Sequence, residues 1–166
     1  MACSVLQMNQ AFLLIGGNLG DRATNLARAR NRISQAIGPI RKTSSVYETA
    51  AWGLVDQPDF YNQVLRIDTT LQPEPLMLRL LGIETDMGRV RKERYGPRLI
   101  DIDILLYNNL VFQSPLVTLP HPRMTERRFV LAPLEEIAPE LLHPQLHLTI
   151  HQLLLQVQDP SPVKKI

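Results

Sequence analysis

The sequence predicts an α+β fold of the ferredoxin-like, split βαβ kind: an antiparallel sheet with helices on its faces, followed by extra C-terminal elements. Three observations lead there. Two apolar stripes with helical spacing, at 21–37 and 73–87, each follow a β-patterned run. Breakers close both stripes, Gly38-Pro39 after the first and Gly88 after the second. The resulting order is strand, helix, strand, strand, helix, strand, with further segments behind it. Such a topology serves many unrelated functions, so it names no reaction by itself.

Residues 11–16, AFLLIG, form a continuous apolar run ending in Gly16-Gly17-Asn18, which reads as a buried strand. Asp21 is placed to cap a helix whose stripe is Leu26, Ala29, Ile33, Ala36 and Ile37. RKTSSVYET at 41–49 has the polarity and β-branching of one half-exposed strand, and 50–58 is aperiodic and reads as a loop. FYNQVLRIDTT at 60–70 alternates, setting Val64, Arg66 and Asp68 against Leu65, Ile67 and Thr69, a strand with one wet face. Pro73 and Pro75 open the second helix, striped by Leu76, Leu80, Ile83 and Met87. Residues 101–107 are the next strand, and Asn108-Asn109 predicts a tight turn into LVF and a hairpin. A short strand is expected at 116–119, helices at 128–137 and 150–157, and a frayed tail over 159–166.

A chain of 166 residues fits a single domain, 1–166, with a sizeable core. A formal net charge of +2 gives no general polyanion-binding surface, so the basic residues matter where they cluster. The single cysteine, Cys3, permits no internal disulfide, consistent with a reducing compartment. No apolar run approaches the ~18 residues of a membrane span. The first ten residues lack the features of a secretory leader. The expectation is a cytoplasmic monomer with no nucleic-acid or membrane partner.

The chemistry concentrates in residues 89–107, RVRKERYGPRLIDIDILLY. Five basic side chains (Arg89, Arg91, Lys92, Arg94, Arg98) stand directly before a strand carrying Asp101 and Asp103. In a strand, residues i and i+2 share a face about 6.6–6.8 Å apart. Asp101 and Asp103 therefore point one way and Ile102 and Ile104 the other. Paired metal ions in phosphoryl-transfer enzymes sit about 3.5–4 Å apart, within the reach of two such carboxylates. Magnesium takes one or two carboxylates and completes its shell with phosphate and water, while Arg and Lys neutralise the remaining phosphate oxygens. For an isolated pair of alternating aspartates, the solvated face of an edge strand is the commoner reading. Five cations within a dozen residues favour the metal–polyphosphate reading.

Five segments together resemble one family. They are Gly16-Gly17-Asn18-Leu19-Gly20-Asp21-Arg22; Gln57-Pro58-Asp59-Phe60-Tyr61-Asn62; Gly88-Arg89-Val90-Arg91-Lys92; Tyr95-Gly96-Pro97-Arg98-Leu99-Ile100-Asp101-Ile102-Asp103; and Leu119-Pro120-His121-Pro122. In this order they look like 6-hydroxymethyl-7,8-dihydropterin pyrophosphokinase, over residues 12–140. The resemblance implies transfer of pyrophosphate from ATP to the pterin hydroxymethyl oxygen, with AMP released, in folate biosynthesis. It implies two Mg²⁺ ions held by Asp101 and Asp103, one between the α- and β-phosphates and the other between β and γ. Arg89 and Arg98 match catalytic arginines. Arg91, Lys92, Tyr95, Arg98, Ile104, Thr118, His121 and Arg127 match ATP contacts, and Glu84, on the wet side of the second helix, a position near them. Thr49, Trp52, Phe60, Asn62 and Phe129 match the pterin site, with Phe60 and Phe129 as the two halves of an aromatic clamp.

The sequence departs from the family pattern at several points. Gly17 stands where Ser is common, Phe60 where Tyr is frequent, Tyr95 where Trp is frequent, and the loop before Tyr95 is one residue short. Other roles also fit single residues. His121 between two prolines suits a turn cap, Phe129 a core ring, and His143, His147 and His151 the surface. Two rival readings of the whole are a single-stranded RNA-binding module, which stacks bases on strand aromatics, and a catalytically retired nucleotide binder. Acidic Asp101 and Asp103 oppose the first, and the intact arginines oppose the second.

Overall fold

A computed structural model describes residues 5–51, 56–89 and 97–166. Its elements are β1 (Asn9–Gly17), α1 (Arg22–Ala36), β2 (Ile40–Thr43), β3 (Tyr47–Thr49), β4 (Phe60–Thr69), α2 (Pro73–Asp86), β5 (Asp101–Tyr107), β6 (Phe112–Gln113), β7 (Thr118–Leu119), α3 (Arg128–Ile137), α4 (Ile150–Gln156) and β8 (Val163–Lys165). A single 3₁₀ turn, Met124–Glu126, precedes α3. The predicted α+β class and antiparallel sheet are what the chain adopts.

The main sheet runs β5-β1-β4-β3-β8, with β2 also paired to β4. All its pairings are antiparallel. The expected single strand at 41–49 is two strands along the same edge of β4. Ser44 sits at the break: its N–H donates to the Val64 carbonyl, and its hydroxyl accepts from the Val64 N–H. A side chain thus completes the ladder where the backbone leaves it.

Each face of the sheet is covered. On one, Leu13, Ile15, Leu65, Ile67, Ile102 and Ile104 pack against α1 and α2. On the other, Phe12, Leu14, Val64, Leu105 and Leu106 pack against Met124, α3 and α4. Each fully buried Leu or Ile contributes about 1.5–3 kcal/mol. The second layer corrects the wet face expected for β4: Val64 is buried, while Arg66 and Asp68 stay partly open. A register shift between Phe12 and Leu13 leaves Leu105 without a β1 partner, and both Leu105 and Leu106 enter the second core.

Local chemistry fixes the helix ends. The Asp21 carboxylate accepts from the Thr24 N–H at 3.1 Å, the expected cap of α1. Thr149 and Gln152 form a reciprocal capping box on α4. Gly38 lets the turn after α1 touch β4, since a Cβ there would lie 2.0 Å from the Asp68 carbonyl oxygen.

Three further expectations are corrected. The turn at Asn108 does not open a hairpin with β5, because β6 pairs with β7 instead. Asn108 is occupied by β1: its N–H donates to the Gln10 carbonyl and its Oδ1 accepts from the Gln10 N–H, so the chain after it leaves the sheet. The tail expected to fray is the edge strand β8, in register with β3 from Tyr47↔Lys165 to Thr49↔Val163. His143, expected at the surface, is 4% exposed. Its Nδ1 accepts from the N–H groups of Gln145 and Leu146.

Candidate functional site

A cleft of about 320 Å³ opens beside the ends of β1, β4 and β5. It is lined by Asp101, Asp103, Arg98, His121, Arg123 and Arg127 together with Thr49, Phe60, Asn62 and Phe129. Both predicted aspartates face it, while Ile102 and Ile104 point into the first core. The i, i+2 alternation of the strand produces that division.

Asp101 is gripped by two guanidinium groups. Arg89 reaches its Oδ1 at 2.7 Å and Arg98 its Oδ2 at 2.9 Å. Arg89 also pairs with Glu84 at 2.7 Å. Burial alone would raise the Asp101 carboxyl, but Arg89 and Arg98 hold it below the usual carboxylate range. Asp103 goes the other way. Burial, reinforced by the negative charges of Asp101 and Glu84, pushes it up to about 7 against the pull of Arg127 and Arg89. The two carboxyls thus titrate as an interacting pair whose second negative charge is costly.

That arrangement suits a hard divalent cation. A cation beside Asp103 would lower the cost of its charge, and the donors are oxygens of the type Mg²⁺ selects. Among the described residues no cluster of three or more His, Cys, Asp or Glu forms a cage. The remaining coordination positions would fall to phosphate oxygens and water, as Mg²⁺ prefers.

Arg98 is placed by Asn18, which follows β1. The Asn18 Oδ1 accepts from the Arg98 N–H at 2.9 Å, and the Asn18 and Leu19 N–H groups both donate to the Arg98 carbonyl. The Asn18 Nδ2 donates to Gln57 Oε1 and to the Pro58 carbonyl, so one buried amide joins the arginine segment to the residues before β4. Gly17 permits the approach: a Cβ there would stand 2.3 Å from the Leu99 carbonyl oxygen. The segment GGNLG is therefore a bracket for Arg98.

At the other end of the cleft, Asn62 donates from Nδ2 to Thr49 Oγ1 at 3.0 Å, which fixes the orientation of the amide. Phe60 and Phe129 both line this end. Arg98 lies 5.7 Å from the Phe60 ring centroid and Arg127 5.6 Å from that of Phe129, so each ring is bordered by a cation. His121 serves the turn as well as the cleft. Its Nδ1 accepts from the Arg123 N–H and its own N–H donates to the Leu105 carbonyl. Burial and the nearby charges of Arg127 and Arg123 lower the imidazole to about 4, against Asp101, so it is neutral near pH 7.

Three residues lie elsewhere than the sequence places them. Glu84 is not on a wet face: it is 2% exposed, and its Oε1 accepts from the Ile102 N–H at 2.7 Å. Burial raises its carboxyl above the usual range. Ile104 is 2% exposed in the first core, so its side chain cannot meet a ligand in the cleft. Thr118 stands in β7, paired with Gln113, and is not part of the lining. Arg91, Lys92, Tyr95 and Trp52 lie outside the described residues. Arg123, which sequence reading did not single out, lines the cleft. Its one signal is proximity to His121. Arg22 stacks 3.9 Å from the Tyr61 ring centroid and donates to the Asp59 carbonyl, which secures the start of β4.

The model of the 7,8-dihydro-6-hydroxymethylpterin-pyrophosphokinase (HPPK) family matches residues 12–139. The chain belongs to this family. An HPPK relative from Bacillus subtilis, named 2-amino-4-hydroxy-6-hydroxymethyldihydropteridine pyrophosphokinase, is 43% identical over 134 residues, 80% of each chain. A relative of the same name from Aquifex aeolicus is 40% identical over 137 residues, 82% of this chain and 85% of that one. The folic acid synthesis protein FOL1 of Dictyostelium discoideum is 39% identical over 95% of this chain, which spans only 24% of FOL1. A crystal structure of Plasmodium falciparum HPPK-DHPS with pterin and p-hydroxybenzoate superposes with a TM-score of 0.73 at 18% identity. It covers 90% of this chain and 43% of that one, and the likeness confirms the fold. The chain is thus a member of a transferase family of folate biosynthesis. No helix among the described residues is long and apolar enough to cross a membrane.

Proposed function

We propose that this chain transfers the β,γ-diphosphoryl group of ATP to the hydroxymethyl oxygen of 6-hydroxymethyl-7,8-dihydropterin. The observation that carries the reading is one cleft with two unlike ends. Arginines and a carboxylate pair suited to metal and polyphosphate stand at one end. Two rings and an oriented amide suited to a flat heterocycle stand at the other.

In this reading the hydroxymethyl oxygen bonds to the β-phosphorus. The bond from that phosphorus to the α,β-bridging oxygen breaks, its electrons leave on AMP, and the hydroxyl proton passes to solvent. Phe60 and Phe129 sandwich the pterin, and the Asn62 amide, held by Thr49, meets the polar edge of the ring. Arg98 and Arg127 lie beside both the rings and the carboxylates, where charge develops on the transferred group. Arg89 acts from behind, holding Asp101 ionised and oriented. Asp101 and Asp103 would hold two Mg²⁺ ions, whose chemistry here is to neutralise phosphate oxygens and lower the hydroxyl pKa. Neutral His121 offers a hydrogen bond to the nucleotide without adding charge. The rest of the reaction is positioning.

An RNA-binding module finds no support among the described residues, where both faces of the sheet are covered and no strand platform is open to bases. We further infer a single-domain, monomeric, cytoplasmic protein, a reading that size-exclusion chromatography and cell fractionation check. For the reaction, Asp101→Ala and Asp103→Ala are each expected to lower pterin-dependent AMP release by at least about a thousandfold, while the folded signal by circular dichroism is retained. Wild-type rates in folded variants would remove the carboxylates from the mechanism.

A further inference from the structure

The family match ends at residue 139, yet the last eight residues touch both walls of the pterin end of the cleft. On one side, β8 supplies the outer partner of β3, with Val163 opposite Thr49. The Ile166 N–H continues the pairing to the Val46 carbonyl. Thr49 is the residue that orients the Asn62 amide. On the other side, buried Asp159 sits at the start of α3. Its Oδ2 accepts from the Arg128 N–H and its carbonyl from the Arg128 Nε, both at 3.1 Å. The other carboxylate oxygen accepts from the Ser161 N–H at 2.9 Å, which turns the chain toward β8. Arg128 lies between Arg127 and Phe129, which line the cleft. The same strap meets the far end of α3, where Lys165 approaches Glu136 at 3.8 Å.

These contacts have one consequence in common. The Thr49–Asn62 wall hangs on the sheet edge and the Phe129 wall on α3, and residues 159–166 bond to each. The carboxylates of the metal end stand on β5, which the sheet order β5-β1-β4-β3-β8 sets at the opposite edge from β8, although Arg127, at the start of α3, borders both ends. We propose that residues 159–166 form a strap that sets the spacing of the pterin-binding walls, with Asp159 as the positioning residue that fixes the first turn of α3 and so the Phe129 ring. The proposal rests on the diphosphoryl-transfer reading of the cleft. It makes the strap a determinant chiefly of heterocycle affinity, with a smaller effect at the nucleotide end through Arg127.

The test compares the full-length wild type with Asp159→Ala and Asp159→Asn, and each is titrated with fluorescent 6-hydroxymethylpterin and, separately, with a non-hydrolysable ATP analogue plus Mg²⁺. Asp159→Ala is expected to raise the pterin Kd by about fivefold to tenfold, the scale of one lost helix cap, and to change the analogue Kd by less than about twofold. Asp159→Asn keeps an acceptor for the Arg128 N–H and is expected to restore most of the pterin affinity. An unchanged pterin Kd in folded Asp159→Ala, or an equal loss for both ligands, overturns the proposal. Hydrogen exchange without ligand gives an independent measure: Asp159→Ala is expected to lose protection at 128–131 and at 47–49 together. Loss at neither stretch, or at 128–131 alone, also overturns the strap. A wild-type chain that binds no pterin overturns the functional reading instead, and the exchange result still decides whether the strap joins the two walls.

Discussion

Arg89 and Arg98 look interchangeable in the sequence, but burial gives them different work. The Arg89 side chain is 11% exposed and bridges Glu84 and Asp101, whereas Arg98 is 20% exposed and meets Asp101 beside the Phe60 ring. Removing one partner of a buried ion pair costs about 3–5 kcal/mol, because the other keeps its desolvation penalty. Arg89→Ala is therefore expected to lose stability on that scale in urea unfolding as well as activity. Arg98→Ala is expected to lose activity with a stability change of about 1 kcal/mol or less. Equal stability losses in the two variants would contradict this division. The same contrast shows what single residues disclose in a sequence. The alternation D-I-D-I was enough to aim Asp101 and Asp103 into one cleft. Glu84 was misread because the stripe Leu76, Leu80, Ile83, Met87 marks only the apolar face of α2. A carboxylate on the border of that stripe is buried once β5 offers it the Ile102 N–H and Arg89.

Elements with a strong period or a cap were legible, and elements made by pairing alone were not. Asp21 and Gly38-Pro39 bracket α1 as read, and Pro73 opens α2. The three residues of β8 have no period long enough to notice, and their strand exists because β3 presents an unpaired edge. The break between β2 and β3 depends on the Ser44 hydroxyl, which no pattern of polarity marks. Beside that break a polar cluster ties α3 to the edge strands. Glu136 accepts from the Tyr47 hydroxyl and from both the N–H and hydroxyl of Ser45. Partial burial would raise its carboxyl, but these hydrogen bonds and Lys165 hold it below the ordinary value of 4.5. Because the folded chain depresses this pKa, the contribution is complete above about 4.5 and is lost as pH falls through the lower folded value. Glu136→Gln is expected to flatten the loss of stability between neutral pH and pH 3 in urea titrations, relative to wild type. An identical acid slope in both would show that the cluster does not couple to folding.

For the whole molecule, the order of elements and the order of motifs were both readable, and they agree with the family to which the chain belongs. What the sequence could not supply is the second layer of packing. The α3–α4 layer covers the face left open in the four-stranded core topology, and it brings Phe129, Arg127 and His121 against strands more than fifty residues earlier. It also closes the sheet to any partner that needs an open face. The cleft is consequently assembled from β1, β3, β4, β5, α3 and the turn before α3, and its two ends can be joined only in the complete fold. The central claim is that these ends serve one reaction, in which attack falls on the middle phosphorus of ATP. Phosphorus-31 NMR of the chain mixed with ATP, Mg²⁺ and 6-hydroxymethyl-7,8-dihydropterin tests it directly. The expected spectrum gains one AMP singlet and two coupled doublets of a pterin diphosphate in equal amount, and only when the pterin is present. Formation of ADP with a pterin monophosphate, or nucleotide turnover indifferent to the pterin, would contradict the account.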